Sequence, residues 1–206
     1  MKPERIRALL ECYLTPLPDG IEYKIQKYIA LLGKWGAKMP LTSIRDPEEI
    51  VCFHFGESIF ALSEGDIRNG RLADVGSGAG FPGLAIKLVN PSLPISLIEP
   101  NRKKCAFLNE VIRSLELENT RVLSSNFKSS GIEPRSVSYI TSRALGKSDL
   151  LLDWAHSKLK QEGSALLWVG GDDLKPIQSK SGWDWAAPAL IPGTRQRFLL
   201  RGSKVS

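Results

Sequence analysis

The chain has 206 residues, of which 42% are apolar, enough to bury one core of ordinary size. Its net charge of +6 favours an anionic partner, and a nucleic acid ahead of a membrane. The sequence has no signal-peptide pattern and no apolar run near the roughly 18–20 residues that a membrane span needs. We therefore expect a cytoplasmic protein with no membrane partner.

The first 62 residues show the apolar periodicity of helices. One stripe ends before Pro16 and Pro18, and a second stripe covers residues 21–35 at helical spacing. Lysines lie on or beside the polar side of this second helix, where they form either a solvated face or a surface that faces RNA. These lysines are Lys24, Lys27 and Lys34.

A third helix is expected from residue 48 to about residue 62. Ser43 or Asp46 would cap it, and Pro47 suits its first position because a missing N–H is harmless there. The helix carries His54. A single histidine of this kind is more often a packed or hydrogen-bonded residue than a catalyst.

The segment 71–84 combines an apolar strand pattern, a glycine-rich turn and the start of a helix. Glycine lets the backbone approach a ligand closely and adopt a positive φ, and free N–H groups at a helix N-terminus favour polar or anionic ligands. A purely structural turn is the alternative. The density of glycines and the preceding acid, Asp74, favour a nucleotide-type cofactor. The glycines are Gly76, Gly78, Gly80 and Gly83.

Two cofactor classes fit this turn. Gly78, Gly80 and Gly83 satisfy the dinucleotide pattern G-x-G-x-x-G. The run from Asp74 to Gly80 also satisfies D-x-G-x-G-x-G, which resembles motif I of the methyltransferases that use S-adenosyl-L-methionine (AdoMet). In that resemblance the acid orients the amino-acid part of the cofactor, directly or through water, and the turn packs against the methionine and ribose.

After the turn, short apolar runs alternate with helical segments. This alternation predicts an α/β domain whose parallel sheet is covered on both faces. Residues 183–191 and 196–201 resemble a final antiparallel pair of strands. The other predicted strands are residues 94–99, 121–124, 137–143 and 164–169.

Glu99 follows the second predicted strand, 25 residues after Asp74. A carboxylate there can accept hydrogen bonds from both ribose hydroxyls, of NAD or of AdoMet. Against a dehydrogenase, the chain lacks a second catalytic domain, and its Tyr-x-x-x-Lys match, Tyr23 to Lys27, precedes the glycines. A NAD-dependent enzyme is therefore the weaker alternative.

Three cysteines, Cys12, Cys52 and Cys105, are far apart and odd in number. Neither they nor the two histidines, His54 and His156, have the spacing of a metal site. We therefore expect reduced cysteines that serve packing, and no bound metal.

Several motifs in chain order resemble one family, the bacterial 16S rRNA guanine-N7 methyltransferases, also called the glucose-inhibited division protein B family. The resemblance runs from about residue 41 to residue 171, with a weaker echo at Arg197-Phe198-Leu199. The motifs are L-T-S-I-R-D-P from Leu41, His54, D-V-G-S-G-A-G-F-P-G from Asp74, K-K-C-A-F-L from Lys103 and T-S-R-A from Thr141.

The resemblance implies a Rossmann-like, AdoMet-dependent methyltransferase fold, with a mainly parallel seven-stranded sheet that ends in an antiparallel pair. We expect an N-terminal helical extension, residues 1–62, packed on a methyltransferase domain, residues 63–206. The implied activity is methylation of N7 of a guanine in the 530 loop of 16S rRNA, by a monomer that acts on this rRNA or the small ribosomal subunit. The alternative is a non-catalytic RNA-binding module, against which the intact Asp74, glycine turn and Glu99 argue.

The family pattern and the glycine turn together predict the cofactor site. The family usually has an acid after the third strand, where residues 124–127 have none, although Asn126 can hydrogen-bond an adenine edge. The expected cofactor-binding residues are Asp74, Gly76, Gly78, Gly80, Phe81, Glu99, Asn126, Phe127 and Arg143.

The implied chemistry requires no catalytic base. Guanine N7 carries a lone pair and no proton, so it can attack the sulfonium methyl in line while the enzyme supplies proximity and alignment. We expect Arg143 to be the catalytic residue, through orientation, by touching the cofactor, the guanine O6 or a phosphate. A surface ion pair is the alternative for this arginine.

The positions of the basic residues indicate where RNA would contact the protein. Three cations in a row at the start of a helix are unfavourable for the helix macrodipole, which favours phosphate contact over a solvated face. The expected RNA-binding residues are Arg102, Lys103, Lys104 and Arg197.

Overall fold

The computed structural model describes residues 1–63, 67, 69–143 and 148–205. These residues form an α/β fold. The helices are α1 Pro3–Leu10, α2 Ile21–Gly36, α3 Pro47–Glu49, α4 Glu57–Ser63, α5 Gly83–Val89, α6 Arg102–Ser114, α7 Ser148–Lys158 and α8 Gly171–Gln178. The strands are β1 Leu72–Val75, β2 Ile95–Ile98, β3 Thr120–Leu123, β4 Val137–Ser142, β5 Leu159–Gly170, β6 Trp183–Trp185, β7 Ala189–Leu190 and β8 Arg197–Lys204.

The strands form one sheet in the order β3-β2-β1-β4-β5-β8-β6, and β7 also pairs with β8. Strands β1 to β5 are parallel, whereas β8 runs antiparallel to β5, so the predicted α/β fold is confirmed. The strand order reverses between β1 and β4, where the carboxyl ends of a parallel sheet open a crevice for ligands.

The C-terminal strand pair differs in detail from the prediction. The single strand expected at residues 183–191 is divided into β6 and β7, which both pair with β8. Pro188 lies between them and has no N–H to donate to a ladder, which accounts for the interruption. The described residues therefore contain eight strands instead of the seven expected.

A hydrophobic cluster covers each face of the sheet, because successive side chains of a strand point to opposite faces. Leu72 of β1 joins one cluster and Ala73 joins the other. The first cluster also contains Tyr28 of α2, Phe55 and Phe107 of α6. The N-terminal helices therefore share a core with the helices that cover the sheet.

The predicted third helix is confirmed and contains an irregularity. Asp46 caps α3, where its Oδ1 accepts a hydrogen bond from the backbone N–H of Glu49 at 2.9 Å. Between α3 and α4 the chain forms a π-helical segment, Ile50–Gly56. Such wider turns occur often at functional sites. This one brings the backbone carbonyls of Phe53 and His54 within hydrogen-bonding distance of Arg143, which follows β4.

The described helices include none that combines the length and the apolar character needed to cross a membrane.

Candidate cofactor and RNA site

The carboxyl ends of the parallel strands bring the predicted site residues to one edge of the sheet. The glycine turn follows β1, Glu99 follows β2, Asn126 follows β3 and Arg143 follows β4. Since the carboxyl ends of parallel neighbours share an edge, residues 67 positions apart in sequence, such as Asp74 and Thr141, come together here.

Asp74 lies beneath the glycine turn and is fully buried. Its Oδ1 accepts a hydrogen bond from the Thr141 hydroxyl at 2.8 Å, and its Oδ2 accepts one from the Gly83 N–H at 3.3 Å. Burial, only partly offset by these hydrogen bonds, raises the pKa of the Asp74 carboxyl to about 6. Asp74 therefore joins the end of β1 to β4 and to the start of α5.

The glycines of the turn have different surroundings. Gly76, Gly78 and Gly80 all have positive φ, at +72°, +56° and +90°. A Cβ at Gly76 would have no atom within 4 Å, and one at Gly78 would meet only the Gly76 carbonyl at 3.7 Å. A Cβ at Gly80, by contrast, would lie 2.0 Å from the Tyr28 hydroxyl oxygen. The backbone at residues 76–78 is thus an open cradle, whereas Gly80 is packed against α2.

Glu99 lies beside this cradle and is 5% exposed. Its Oε2 accepts a hydrogen bond from the Gly78 N–H and its Oε1 accepts one from the Asn101 N–H, both at 2.9 Å. Each carboxylate oxygen retains a second lone pair that can accept a hydrogen bond from a hydroxyl group. An open glycine backbone next to such a carboxylate fits the ribose and methionine parts of AdoMet.

The segment after β3 contains Asn126 and Phe127. Asn126 is exposed, and its Oδ1 accepts a hydrogen bond from the Lys128 N–H at 3.1 Å. The N–H₂ group of the Asn126 side chain then remains able to donate a hydrogen bond to an adenine ring nitrogen. Phe127 is half-buried and packs edge-on against Trp154, with 5.5 Å between ring centroids.

The Phe81 ring belongs to a buried aromatic group. It stacks on Tyr28 and on His54, with centroids 5.5 and 4.7 Å away. The Phe81 side chain therefore packs into the protein core and anchors the glycine turn there.

Arg143 binds a buried carboxylate that the sequence analysis did not single out. Its Nη2 lies 3.0 Å from Oε2 of Glu57, and it donates a hydrogen bond to the Phe53 carbonyl at 2.9 Å. The side chain of Arg143 is 19% exposed and that of Glu57 is 1% exposed. The ion pair considered as the alternative for Arg143 is thus present, but with a buried partner.

Glu57 also holds the second arginine of the site. Its Oε1 lies 2.8 Å from Nη2 of Arg197, whose guanidinium lies 4.9 Å from the centroid of the Phe53 ring. The Glu57 carbonyl accepts a hydrogen bond from the Trp168 indole at 2.7 Å. Burial raises the pKa of Glu57, and the two arginines oppose this shift. We call Glu57, Arg143 and Arg197 the ionic triad; its net charge is positive.

His54 is packed and hydrogen-bonded, as the sequence analysis favoured. Its Nε2 lies 2.6 Å from the Thr42 hydroxyl oxygen. Burial, with the nearby charges of Arg143 and Arg197, lowers the pKa of His54 to about 4. The imidazole is therefore neutral at neutral pH.

The basic cluster at the start of α6 lies next to Glu99 in the chain. Asn101 caps this helix by accepting hydrogen bonds from the N–H groups of Lys103 and Lys104, at 2.9 and 3.2 Å. Arg102 and Lys103 are exposed and Lys104 is half-buried. In the described part of the chain these three side chains form no ion pair.

The cysteines are unpaired, and Cys12 is exposed, against the expectation that all three serve packing. Across residues 1–63, 67, 69–143 and 148–205, no group of three His, Cys, Asp or Glu side chains is arranged to hold a metal ion.

Solved structures confirm the fold of an AdoMet-dependent methyltransferase. An AdoMet-dependent methyltransferase from Aquifex aeolicus matches with a TM-score of 0.64 at 17% identity, over 78% of this chain and 94% of that one. TYW2 from M. jannaschii, solved in complex with AdoMet, matches with a TM-score of 0.52 at 16% identity, over 66% and 74% of the two chains.

Sequence comparisons confirm the family. Residues 21–182 match the family model GidB, described as rRNA small subunit methyltransferase G. The ribosomal RNA small subunit methyltransferase G of Chloroflexus aggregans is 31% identical over 202 residues, which cover 93% of this chain and 85% of the relative. The protein of that name from Xanthomonas axonopodis is 34% identical over 81% of this chain and 79% of its own. The chain therefore belongs to the GidB family of AdoMet-dependent rRNA methyltransferases.

Proposed function

We propose that this chain transfers the methyl group of AdoMet to N7 of a guanine in the 530 loop of 16S rRNA. It acts in the cytoplasm as a monomer, on the rRNA or on the small ribosomal subunit. Family membership supports the rRNA substrate. The observation that carries the site is the open backbone at residues 76–78, hydrogen-bonded to Glu99 at the sheet edge that also holds the ionic triad.

In this proposal each residue holds or orients a reactant. AdoMet supplies an electrophilic methyl on a sulfonium. The glycine backbone would accommodate the methionine and ribose parts of AdoMet, and Glu99 would accept hydrogen bonds from the ribose hydroxyls. Arg143 and Arg197, fixed by Glu57, orient the guanine O6 or an adjacent phosphate. Proximity and alignment supply most of the rate enhancement, since N7 needs no deprotonation.

Nucleoside mass spectrometry tests the proposal. Small-subunit rRNA from a strain without this gene is expected to lack one 7-methylguanosine, which the wild-type gene restores. In vitro, the purified protein with labelled AdoMet should methylate deproteinised 16S rRNA or small subunits at that guanine. Unchanged 7-methylguanosine in the deletion strain would contradict the proposed activity. RNA binding without AdoMet binding would instead support the non-catalytic alternative.

Replacing Glu99 with alanine is expected to weaken AdoMet binding by roughly 10- to 150-fold. The loss corresponds to about 1.5–3 kcal/mol for charge-assisted hydrogen bonds to the ribose. Isothermal titration calorimetry measures it, with Glu133→Ala as control because Glu133 is exposed at the opposite, amino edge of the sheet. A change of less than twofold in Glu99→Ala would remove Glu99 from the cofactor site.

Replacing Arg102, Lys103 and Lys104 with alanine is expected to weaken RNA binding and leave AdoMet affinity unchanged. The slope of log affinity against log salt should shrink by about 0.7–0.9 for each lost phosphate contact. The control replaces Lys158 and Lys160 with alanine; Lys158 ends α7 and Lys160 is the second residue of β5, at the amino end of that strand. A slope equal to that of the wild type would place the phosphate contacts elsewhere on the protein.

A further inference from the structure

A groove between α2 and α6 has no role in the methyl transfer described above. Its volume is about 310 Å³, and it is lined by Lys34, Trp35, Lys38 and Glu110. Trp35 is half-buried, and its ring packs edge-on against Phe107, with 5.9 Å between centroids. The groove therefore combines a tryptophan anchored in the core with two cations and one carboxylate.

The groove continues a line of lysines on α2. Lys24, Lys27 and Lys34 lie within about 80° of one another around the helix, given 3.6 residues per turn, and Lys38 follows in the turn after it. All four are exposed, and none forms an ion pair with the described residues. A row of unpaired cations beside an aromatic side chain is typical of surfaces that bind single-stranded nucleic acid.

The groove is separate from the cofactor edge. Glu110 lies eight residues after Arg102 on α6, about 12 Å along the helix axis. The basic cluster of Arg102, Lys103 and Lys104 lies at the end of α6 that is nearer the cofactor site, and Glu110 lies farther along the helix. An RNA strand that contacts the cluster can therefore place in the groove a nucleotide that flanks the methylated one.

We propose that the groove binds one unpaired guanine of the RNA substrate, stacked on Trp35, with its flanking phosphates against Lys34 and Lys38. Sequence-specific RNA recognition commonly stacks a splayed base on an aromatic ring and hydrogen-bonds its Watson–Crick edge. Guanine presents two adjacent donors there, N1–H and N2–H₂, which match the two oxygens of the Glu110 carboxylate. Arg113 lies beside that carboxylate as its ion-pair partner three residues later on α6. This inference rests on the proposed RNA substrate and extends it to a second recognition site.

Fluorescence anisotropy with labelled nine-nucleotide RNAs tests the groove. The probes are nonauridine and the same strand with guanosine or adenosine at its centre. The wild type is expected to bind the guanosine strand most tightly. Trp35→Ala should weaken that binding by roughly 5- to 150-fold, as expected for the loss of one stacked base, while Trp35→Tyr retains most of it. Glu110→Gln should reduce the preference for guanosine.

Charge variants and folding controls accompany these measurements. The double variant Lys34→Ala/Lys38→Ala should weaken binding and flatten its salt dependence, whereas Lys158→Ala/Lys160→Ala should change affinity by less than twofold. Circular dichroism and AdoMet calorimetry verify that each variant is folded. This control matters most for Trp35→Ala, because Trp35 packs on Phe107.

The proposal is overturned if a folded Trp35→Ala variant binds the guanosine strand within twofold of the wild type. Equal wild-type affinity for the three strands would overturn it as well. These outcomes differ from failure of the proposed function. Tryptophan-dependent binding of guanosine RNA by a protein that leaves no 7-methylguanosine in 16S rRNA would reject the methylation target and retain the groove.

Discussion

Replacing Glu57 with alanine is expected to lower the free energy of unfolding by about 3–5 kcal/mol, because it leaves a buried cation without its partner. Most of this loss comes from Arg143, whose side chain is 19% exposed. Arg197 contributes less, since its side chain is 44% exposed and water screens its charge. Urea denaturation followed by circular dichroism measures the change.

A matched control separates this effect from the loss of any ion pair. Glu48 pairs with Arg5 at the surface, where the two side chains are 47% and 52% exposed, so Glu48→Ala should change stability little. Glu57→Gln keeps the side-chain volume and one acceptor, and should lie between Glu57→Ala and the wild type. If Glu57→Ala were as stable as Glu48→Ala, the ionic triad would not hold the site together.

Replacing Gly78 with valine is expected to abolish AdoMet binding in a protein that still folds. The added side chain would project into the open space above the turn, where the nearest protein atom to its Cβ is the Gly76 carbonyl oxygen at 3.7 Å. The backbone at Gly78 has a φ of +56°, so a non-glycine residue also costs about 1–2 kcal/mol of stability. Calorimetry measures the binding, and thermal unfolding measures the stability.

Gly80→Ala is the companion variant, and its main expected effect is a loss of stability and not a direct loss of AdoMet binding. Its Cβ would lie 2.0 Å from the Tyr28 hydroxyl oxygen and 2.8 Å from a Leu84 methyl carbon, so the packing of α2 on the turn must change. We expect a large drop in the unfolding temperature. Unchanged AdoMet affinity in Gly78→Val, or an unchanged unfolding temperature in Gly80→Ala, would contradict the assignment of an open and a packed side to the turn.

The sequence by itself predicted the strand and helix order and the edge at which the site lies. Apolar periodicity predicts helices and strands because it reflects which side chains of one segment are buried, and this pattern is a local property of the sequence. If β1 to β4 are parallel, as their alternation with helices predicts, their carboxyl ends must share an edge. Gly76, Glu99, Asn126 and Arg143 could therefore be grouped from the sequence alone. The family motifs then indicated the cofactor.

Only the tertiary structure showed what each side chain of the site touches. Glu57 resembles an ordinary helical acid in sequence, and its partners Arg143 and Arg197 lie 86 and 140 positions away. Gly78 and Gly80 are equivalent in the motif, yet α2 packs against one and leaves the other open. Asp74 accepts its hydrogen bonds from β4 and α5. Such contacts depend on how distant segments pack together, and no local pattern of residues encodes that packing.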